Sequence, residues 1–473
     1  MLRVALVRAL SQSPFKEPAE PLGIEALAAV LRANGIDYRL FDRELESLDT
    51  VVNAVADYQP SLLGISILME DNTPDALRIL AKVRKRHAVV CVLGGMFITT
   101  NYDKARALFP GDCRLIAGEG ETALLKLCSE LSGQPYPDME RQHLEPEEWP
   151  WMVRHNLEAY LAMGAPINMK SSRGCPGRCK FCATPSLPYG LDKWRGRPVT
   201  DVADEMQALC SQYKPPVFNF VDDDFGPLSR LEQLVDELAR RDLHCALSLQ
   251  LRADAICRVP DLAGLMAKLR AGGLSRVFIG LESFDAEALS YFNKKMDPVK
   301  VMQAFQTIRD AGIAIHIGYI LWHPLSTIDS VRREARLLME SGFFTTKIVM
   351  ARLQLFPGCE LRREYGDRDH TVMPVDAYCD LVTSRAEPLY NVWLKGALDV
   401  PLRYCLACVE PDGDSLEKAI QIETQLNRLD ALSYQLIMDP QDDSVCEAIV
   451  LETAEDVRTR LQAIGSNFWH AAG

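Results

Sequence analysis

Between Ser171 and Pro185 the chain reads Ser-Ser-Arg-Gly-Cys-Pro-Gly-Arg-Cys-Lys-Phe-Cys-Ala-Thr-Pro, and no other stretch restricts the fold and chemistry as strongly. Cys175, Cys179 and Cys182 stand at CxxxCxxC spacing, while Gly174, Pro176 and Gly177 favour turns over a helix. Thiolates are soft ligands for iron-sulfur clusters, and a four-iron cubane takes about four of them. This loop supplies three, which leaves one iron open to a small chelating molecule. A structural zinc site or a disulfide knuckle are the competing uses of such thiols. Zinc sites usually pair a short knuckle with a second pair of ligands, and disulfide frameworks belong to small secreted domains. The iron-sulfur reading is the stronger one.

With Phe181 before the last cysteine, the motif resembles the signature of radical S-adenosylmethionine (SAM) enzymes. The resemblance implies a 4Fe-4S cluster held by Cys175, Cys179 and Cys182, with SAM chelated at the open iron through its amino and carboxylate groups. One electron from the cluster then cleaves SAM to a 5′-deoxyadenosyl radical, so an electron donor such as flavodoxin or ferredoxin is implied as a partner.

At 473 residues the chain exceeds one ordinary core, and two or three domains are expected. Fourteen cysteines, mostly unpaired in spacing, suit a reducing compartment and a cytoplasmic location. Met1-Leu-Arg-Val-Ala-Leu-Val reads as a strand and lacks a signal peptide's cleavage region. No apolar run approaches the roughly twenty residues of a membrane span. A net charge of −13, with Lys82-Val-Arg-Lys-Arg86 as the sole basic cluster, speaks against nucleic acid. A small molecule or a peptide is the expected substrate.

Residues 1–140 alternate strand and helix, which predicts a doubly wound, Rossmann-like parallel sheet. Strands are expected at Arg3–Val7, Tyr38–Phe41, Leu62–Ile67 and Val89–Leu93, and helices at Gly23–Asn34 and Thr73–Arg86, the latter capped by Thr73 or Asn72. Ligands bind such sheets at the carboxyl ends of the strands. Pro21-Leu-Gly-Ile-Glu, Leu63-Gly-Ile-Ser, Leu93-Gly-Gly-Met and Ala117-Gly-Glu-Gly-Glu-Thr resemble the cobalamin-binding domain found before many radical SAM domains. That resemblance implies cobalamin near Ser11, Ser13, Met69, Glu70, Gly94, Gly95, Gly118 and Glu119. A Rossmann-like domain with another ligand, or none, is the alternative. The Asp-x-His-x-x-Gly loop by which many cobalamin proteins ligate cobalt from below is missing, since the first histidine is His87. Any bound cobalamin is then expected to meet a non-histidine residue or water on its lower face.

Proline dipeptides such as Glu145-Pro and Trp149-Pro mark residues 141–165 as a linker. Residues 166–365 carry further strand and helix patterns, with strands near Ile167–Lys170, Val217–Val221, Ala246–Leu251, Arg276–Ile279, Ala314–Leu321 and Lys347–Leu355. The radical SAM resemblance makes this a partial (β/α)6 barrel, whose active site lies at the carboxyl strand ends. Asp222 and Asp223 resemble the acidic segment for the SAM amino group, although Gly-Gly-Glu is absent. Arg252 and Asp254 resemble groups for the SAM carboxylate or ribose, and Gly280-Leu-Glu-Ser resembles a Gly-x-Glu-Ser motif that brings Glu282 and Ser283 to SAM. Trp322 and His323 either wall the adenine or pack beneath a loop.

Residues 366–473 form a small, mainly helical region, with helices expected at Val372–Leu389 and Leu416–Leu436 and a strand at Val445–Glu452. Arg403-Tyr-Cys-Leu-Ala-Cys408 partly resembles a cysteine-rich ending of arsinothricin-pathway radical SAM enzymes, which act on trivalent arsenic. Cys405 and Cys408 are therefore a candidate extra thiol site, or else core residues.

The combined resemblance implies a radical SAM enzyme that uses a 4Fe-4S cluster, SAM and cobalamin to methylate an unactivated carbon or a phosphorus. Ring-rearranging or cyclising relatives, and aminocarboxypropyl transfer to a soft acceptor such as arsenic, are the enzymatic alternatives. A methylthiotransferase would need three more cluster cysteines, but Cys91, Cys113 and Cys128 lie in apolar settings that read as core. A non-catalytic cobalamin sensor is disfavoured by the intact CxxxCxxC.

Overall fold

The computed structural model describes residues 2–11, 19–187, 194–213, 217–349, 351–364 and 413–438, with 452–453, 455–457 and 459–461. Ser13, Cys405, Cys408, the helix expected at Val372–Leu389 and nearly all of the strand expected at Val445–Glu452 lie outside the described residues. The chain divides into two compact units, Met1–Ala159 with Ser186–Pro198, and Tyr160–Pro185 with Val199–Gly473.

In the first unit β1 (Arg3–Arg8), β2 (Asp37–Asp42), β3 (Leu62–Ser66), β4 (Val90–Gly94) and β5 (Arg114–Leu115) form one parallel sheet in the order β2-β1-β3-β4-β5. Side chains alternate across a strand, and both faces are buried here. Ala5, Val7, Leu63, Ile65, Cys91 and Leu93 enter one core, with Val51, Val55, Ile79 and Val83 of the helices Leu48–Tyr58 and Thr73–Arg84. Val4, Leu6, Leu62 and Val92 enter the other, with Ala28, Leu31, Leu124 and Cys128 of the helices Leu22–Ala33 and Glu121–Ser132. Two-sided burial explains why these strands read as unbroken apolar runs. Asn72 does not cap the helix that follows it. Its side chain accepts from the Met69 amide at 2.8 Å and donates to the Ala9 carbonyl at 3.1 Å, tying together the carboxyl ends of β1 and β3.

The second unit holds β6 (Ile167–Met169), β7 (Phe218–Phe220), β8 (Leu247–Leu251), β9 (Leu274–Glu282) and β10 (Ala314–Tyr319), parallel and in sequence order across the sheet. Helices Val199–Gln212, Leu228–Arg240, Leu262–Ala271 and Pro298–Asp310 connect them. The strand expected over Lys347–Leu355 is not formed as such. Thr346–Val349 is a helical turn, and a parallel bridge between Trp322 and Arg352 extends the pattern beyond β10. The physical reason is a tertiary contact: the Thr346 amide and hydroxyl are both held by the buried Asp430 of the helix Gly413–Met438, at 2.7 and 3.0 Å, which ties the start of that segment to the helix. Among the described residues no helix is long and apolar enough to cross a membrane.

Candidate active site

The cysteine loop follows β6 at its carboxyl end, and buried polar contacts fix its approach. The Asp222 carboxylate is fully buried and accepts from the Ser171 and Ser172 amides at 2.8 and 2.9 Å and from the Ser171 hydroxyl at 2.5 Å. Burial raises its pKa, while Lys170 and these donors pull the other way. Arg230 adds two bonds, to Ser171 Oγ and to the Ser171 carbonyl, each at 3.2 Å. Asp222 thus anchors the strand end instead of presenting a free carboxylate. Its neighbour Asp223 is exposed and reaches the loop, where it accepts from the Gly174 amide at 3.2 Å. Asp224 is buried, and burial pushes its carboxyl up to about 6.

Cys175, Cys179 and Cys182 are free and half-buried. Gly174 has φ +86°, so the turn that starts the loop suits glycine. The Arg252 guanidinium approaches Cys175 Sγ at 3.6 Å, and Gly177 donates its amide to the same sulfur at 3.4 Å. A Cβ at Gly177 would stand 2.3 Å from Arg252 Nη1, so this glycine makes room for the arginine. Arg252 is itself held by Asp254, whose Oδ1 accepts from Nε at 3.0 Å and from Nη2 at 2.9 Å.

Glu282 ends β9 with φ +67°, after a register shift between Gly280 and Glu282. A non-glycine residue in this region is uncommon and marks a locally enforced geometry. Its carboxylate pairs with Lys294 Nζ at 3.0 Å, and a Cβ on Gly280 would collide with both partners, 2.4 Å from Glu282 Oε1 and 2.9 Å from Lys294 Nζ. Burial pushes the Cys179 thiol up to about 11, and the neighbouring Lys294 ammonium pulls it back. Lys294 was not marked by the sequence reading, since it belongs to no motif and becomes recognisable only by its distance to Glu282. Cys359 is a second such residue. It is buried, and two residues further on the chain reaches the cysteine loop, where the Leu361 amide donates to the Lys180 carbonyl at 3.1 Å.

Ser283 turns away from the loop. Its fully buried hydroxyl donates to Glu334 Oε1 at 2.8 Å, and Glu334 also accepts from the Phe284 amide at 3.1 Å and from the Tyr319 hydroxyl. This network braces the turn that carries Glu282. Trp322 is buried, and His323 packs edge-on against Phe292, which packs edge-on against Phe181 of the loop, at centroid distances of 5.3 and 5.5 Å. Burial holds His323 down at about 4, so it is neutral near pH 7, and its Nδ1 has no hydrogen-bond partner among the described residues.

In the first unit, Leu68, Met69 and Met96 follow β3 and β4 at their carboxyl ends and are exposed, Leu68 the most at 63%. Glu70 pairs with Lys104 at 2.9 Å. Ser11 donates to Asp71 at 2.6 Å, and its amide donates to Glu44 at 3.3 Å. Gly95 has φ +103°, and a Cβ there would lie 2.5 Å from the Ile67 carbonyl oxygen, so the chain's own packing demands this glycine. Gly94 is not so constrained, with its nearest neighbour for a Cβ at 3.8 Å. Gly118 has φ +88° and donates its amide to Thr99 Oγ1 at 3.0 Å, while Glu119 pairs with Arg195, which lies over the Trp149 ring. These positions lie at one edge of the sheet, where its ligands belong.

Comparison with known proteins agrees with both halves of this geometry. The radical SAM superfamily model matches residues 169–338, and the B12 binding domain model matches residues 13–127. Hopanoid C-3 methylase of Methylococcus capsulatus is 27% identical over 327 residues, covering 64% of this chain and 61% of that protein. The anaerobic magnesium-protoporphyrin IX monomethyl ester cyclase of Synechocystis sp. is 23% identical over 323 residues, covering 63% of this chain and 64% of the relative. The solved structure of the cobalamin-dependent SAM radical enzyme OxsB with aqua-cobalamin bound shares the fold at a TM-score of 0.76 and 16% identity, covering 99% of this chain and 80% of that one.

The radical SAM domain implies a 4Fe-4S cluster and SAM, and the B12-binding domain implies cobalamin. The residues present fit these groups. Among the described residues no three His, Cys, Asp or Glu side chains converge on a single metal ion, but a cubane takes each thiolate on a different iron, and the three free thiols share one turn-rich loop. Leu68, Met69 and Met96 leave exposed apolar surface at the carboxyl ends of β3 and β4, which suits a large apolar macrocycle. The chain thus carries a B12-binding domain, over residues 13–127, ahead of a three-cysteine radical SAM domain over residues 169–338.

Proposed function

We propose that the enzyme methylates an unactivated carbon or a phosphorus atom of a small-molecule or natural-product substrate. The observation that carries this reading is the presence in one chain of a three-thiol loop and a B12-binding sheet whose first three strand ends contain no histidine. When bound, the cluster and SAM supply a 5′-deoxyadenosyl radical, and cobalamin supplies a transferable methyl group. The protein's part is orientation, charge and exclusion of water.

Cys175, Cys179 and Cys182 would hold the cluster. Arg252 and Lys294 bring two cations to the cysteine loop, suited to the SAM carboxylate, while Glu282 and Asp223 bring carboxylates suited to its ammonium or ribose hydroxyls. Asp222 and Ser283 serve this site as braces, judged from the contacts that occupy them. Ser11, Ser13, Met69, Glu70, Gly94, Gly95, Gly118 and Glu119 would line the cobalamin. The similarity to hopanoid C-3 methylase supports methyl transfer, and the similarity to the cyclase favours ring formation as the second reading.

The deciding experiment is anaerobic reconstitution with iron, sulfide and hydroxocobalamin, followed by an optical spectrum and product analysis after adding SAM and dithionite. Bound corrinoid with both 5′-deoxyadenosine and S-adenosylhomocysteine supports the methylase. Bound corrinoid with 5′-deoxyadenosine alone moves the assignment to the cyclase. Methylthioadenosine without corrinoid replaces both with aminocarboxypropyl transfer.

A further inference from the structure

Cys91 and Cys113 lie in the apolar core of the first unit, but they do not lie apart. Val92 of β4 pairs with Arg114 of β5, so continuing that register back by one residue brings Cys91 of β4 opposite Cys113, the residue that leads into β5. Neighbouring parallel strands run about 4.8 Å apart, which falls within the Cα separation of about 4.4–6.8 Å that a disulfide spans. Both side chains enter the same core. A cation completes the arrangement. Arg84, at the end of the helix Thr73–Arg84, places Nη2 3.6 Å from Cys113 Sγ, and Asp112 grips the same guanidinium at 3.1 and 2.8 Å.

We propose that Cys91 and Cys113 form an oxidant-sensitive dithiol, with Cys113 as the thiol that reacts first and Cys91 as the thiol that resolves it into a disulfide. The oxidant is a small peroxide, because neither sulfur admits a bulky reagent: Cys91 is 0% exposed and Cys113 2%. Cys113 is nonetheless only one side chain below the surface. Arg84 and Asp112 cover it with side-chain exposures of 26% and 70%, and β5 is a two-residue strand at the sheet edge, whose fraying would open the site. The partner sulfur and the Arg84 guanidinium lower the Cys113 pKa, whereas the partner sulfur and burial raise that of Cys91.

In the first step the Cys113 thiolate attacks one peroxide oxygen, the O–O bond breaks, and hydroxide leaves to become water. Cys113 is then a sulfenic acid. In the second step the Cys91 sulfur attacks the sulfenic sulfur, the S–O bond breaks with loss of water, and an S–S bond forms. The two thiols lose two electrons and two protons in all, and one peroxide is reduced to two waters. The pair is separate from Cys175, Cys179 and Cys182, which belong to the other unit, and the proposal does not depend on the reaction assigned above.

The test uses the full chain, purified under argon without added iron, exposed to hydrogen peroxide, blocked with N-ethylmaleimide and digested. A peptide pair joined through Cys91 and Cys113, lighter by two hydrogens than the free dithiols and released by dithiothreitol, is the expected product. Arg84→Gln, a surface change, should slow its formation several-fold. In Cys91→Ala the resolving thiol is gone, and dimedone present while the peroxide-treated chain is unfolded should trap Cys113 as its sulfenic acid adduct. Recovery of both cysteines as maleimide adducts after unfolding, under peroxide that oxidises the half-buried cysteines, would overturn the proposal. So would joining of either one to a different cysteine.

Discussion

Lys294 holds its ammonium 3.0 Å from Glu282 Oε1, and the pair stands beside the Cys179 thiol in a space that only the missing Cβ of Gly280 leaves open. Lys294→Met removes the cation and leaves Glu282 facing Cys179 alone. The Cys179 thiol should then titrate higher, and in the metal-free chain its alkylation should slow while that of Cys182 is little changed. Breaking a largely buried pair from one side costs about 3 kcal/mol, which urea denaturation of the same chain would read. Equal alkylation of Cys179 in both proteins would remove Lys294 from the site.

Gly177 is predicted to be intolerant of even one methyl group. A Cβ there meets Arg252 Nη1 at 2.3 Å and Cys175 Sγ at 3.3 Å, so Gly177→Ala must displace the guanidinium from the first cysteine. Iron content after reconstitution should fall by half or more, with near-normal far-ultraviolet circular dichroism. Full iron loading would show that the Arg252 contact is dispensable.

Each cluster cysteine should be indispensable for iron. A cubane held by about three protein thiolates does not survive the loss of one, so Cys175→Ala, Cys179→Ala and Cys182→Ala should lose the charge-transfer absorption and all 5′-deoxyadenosine formation. Cys128→Ala, in the core of the first unit, should keep both. It should lower stability instead, by the roughly 1–3 kcal/mol of a buried small-side-chain deletion.

The first unit should lose stability as pH rises. Burial, with Glu20 nearby, pushes Glu25 from its ordinary value near 4.5 up to about 8. Between those values the folded chain keeps a proton that the unfolded chain has released. The resulting stability is full below about 4.5 and disappears as pH climbs to about 8. Glu25→Gln should flatten the melting temperature across that window and raise it at pH 8, on the order of 2–4 °C for each kcal/mol recovered. A wild-type curve without slope between pH 5 and 8 would contradict the burial of this carboxyl.

The distribution of what could be read in advance follows from the range of the interactions. The parallel sheet of the first unit was legible because two-sided burial writes each strand as a short apolar run, visible in residues 3–8 and 62–66 without any partner. The helices Leu48–Tyr58 and Glu121–Ser132 are not among the expected elements, although Val51, Val52, Val55 and Tyr58 of the first and Leu124, Leu125 and Cys128 of the second form continuous buried stripes at helical spacing. The segment Lys347–Leu355 has the composition of a strand, and a buried aspartate from a helix more than seventy residues further on decides otherwise.

The cysteine loop is determined by sequence alone, because three thiols within eight residues, with Gly174 before them and Pro176 and Gly177 between the first two, share a site whatever surrounds them. Strand-end candidates such as Asp222 and Ser283 could be located but not given a role, since a carboxylate or hydroxyl looks the same in sequence whether it faces a ligand or the Ser171 amide or Glu334. Tertiary structure alone decided the rest. Arg252 lies 77 residues from Cys175, and Asn293 reaches back 115 residues to the Arg178 carbonyl. Cys91 meets Cys113 only because β4 and β5 pair in one register, and a shift by a single residue would turn the two thiols to opposite faces of the sheet.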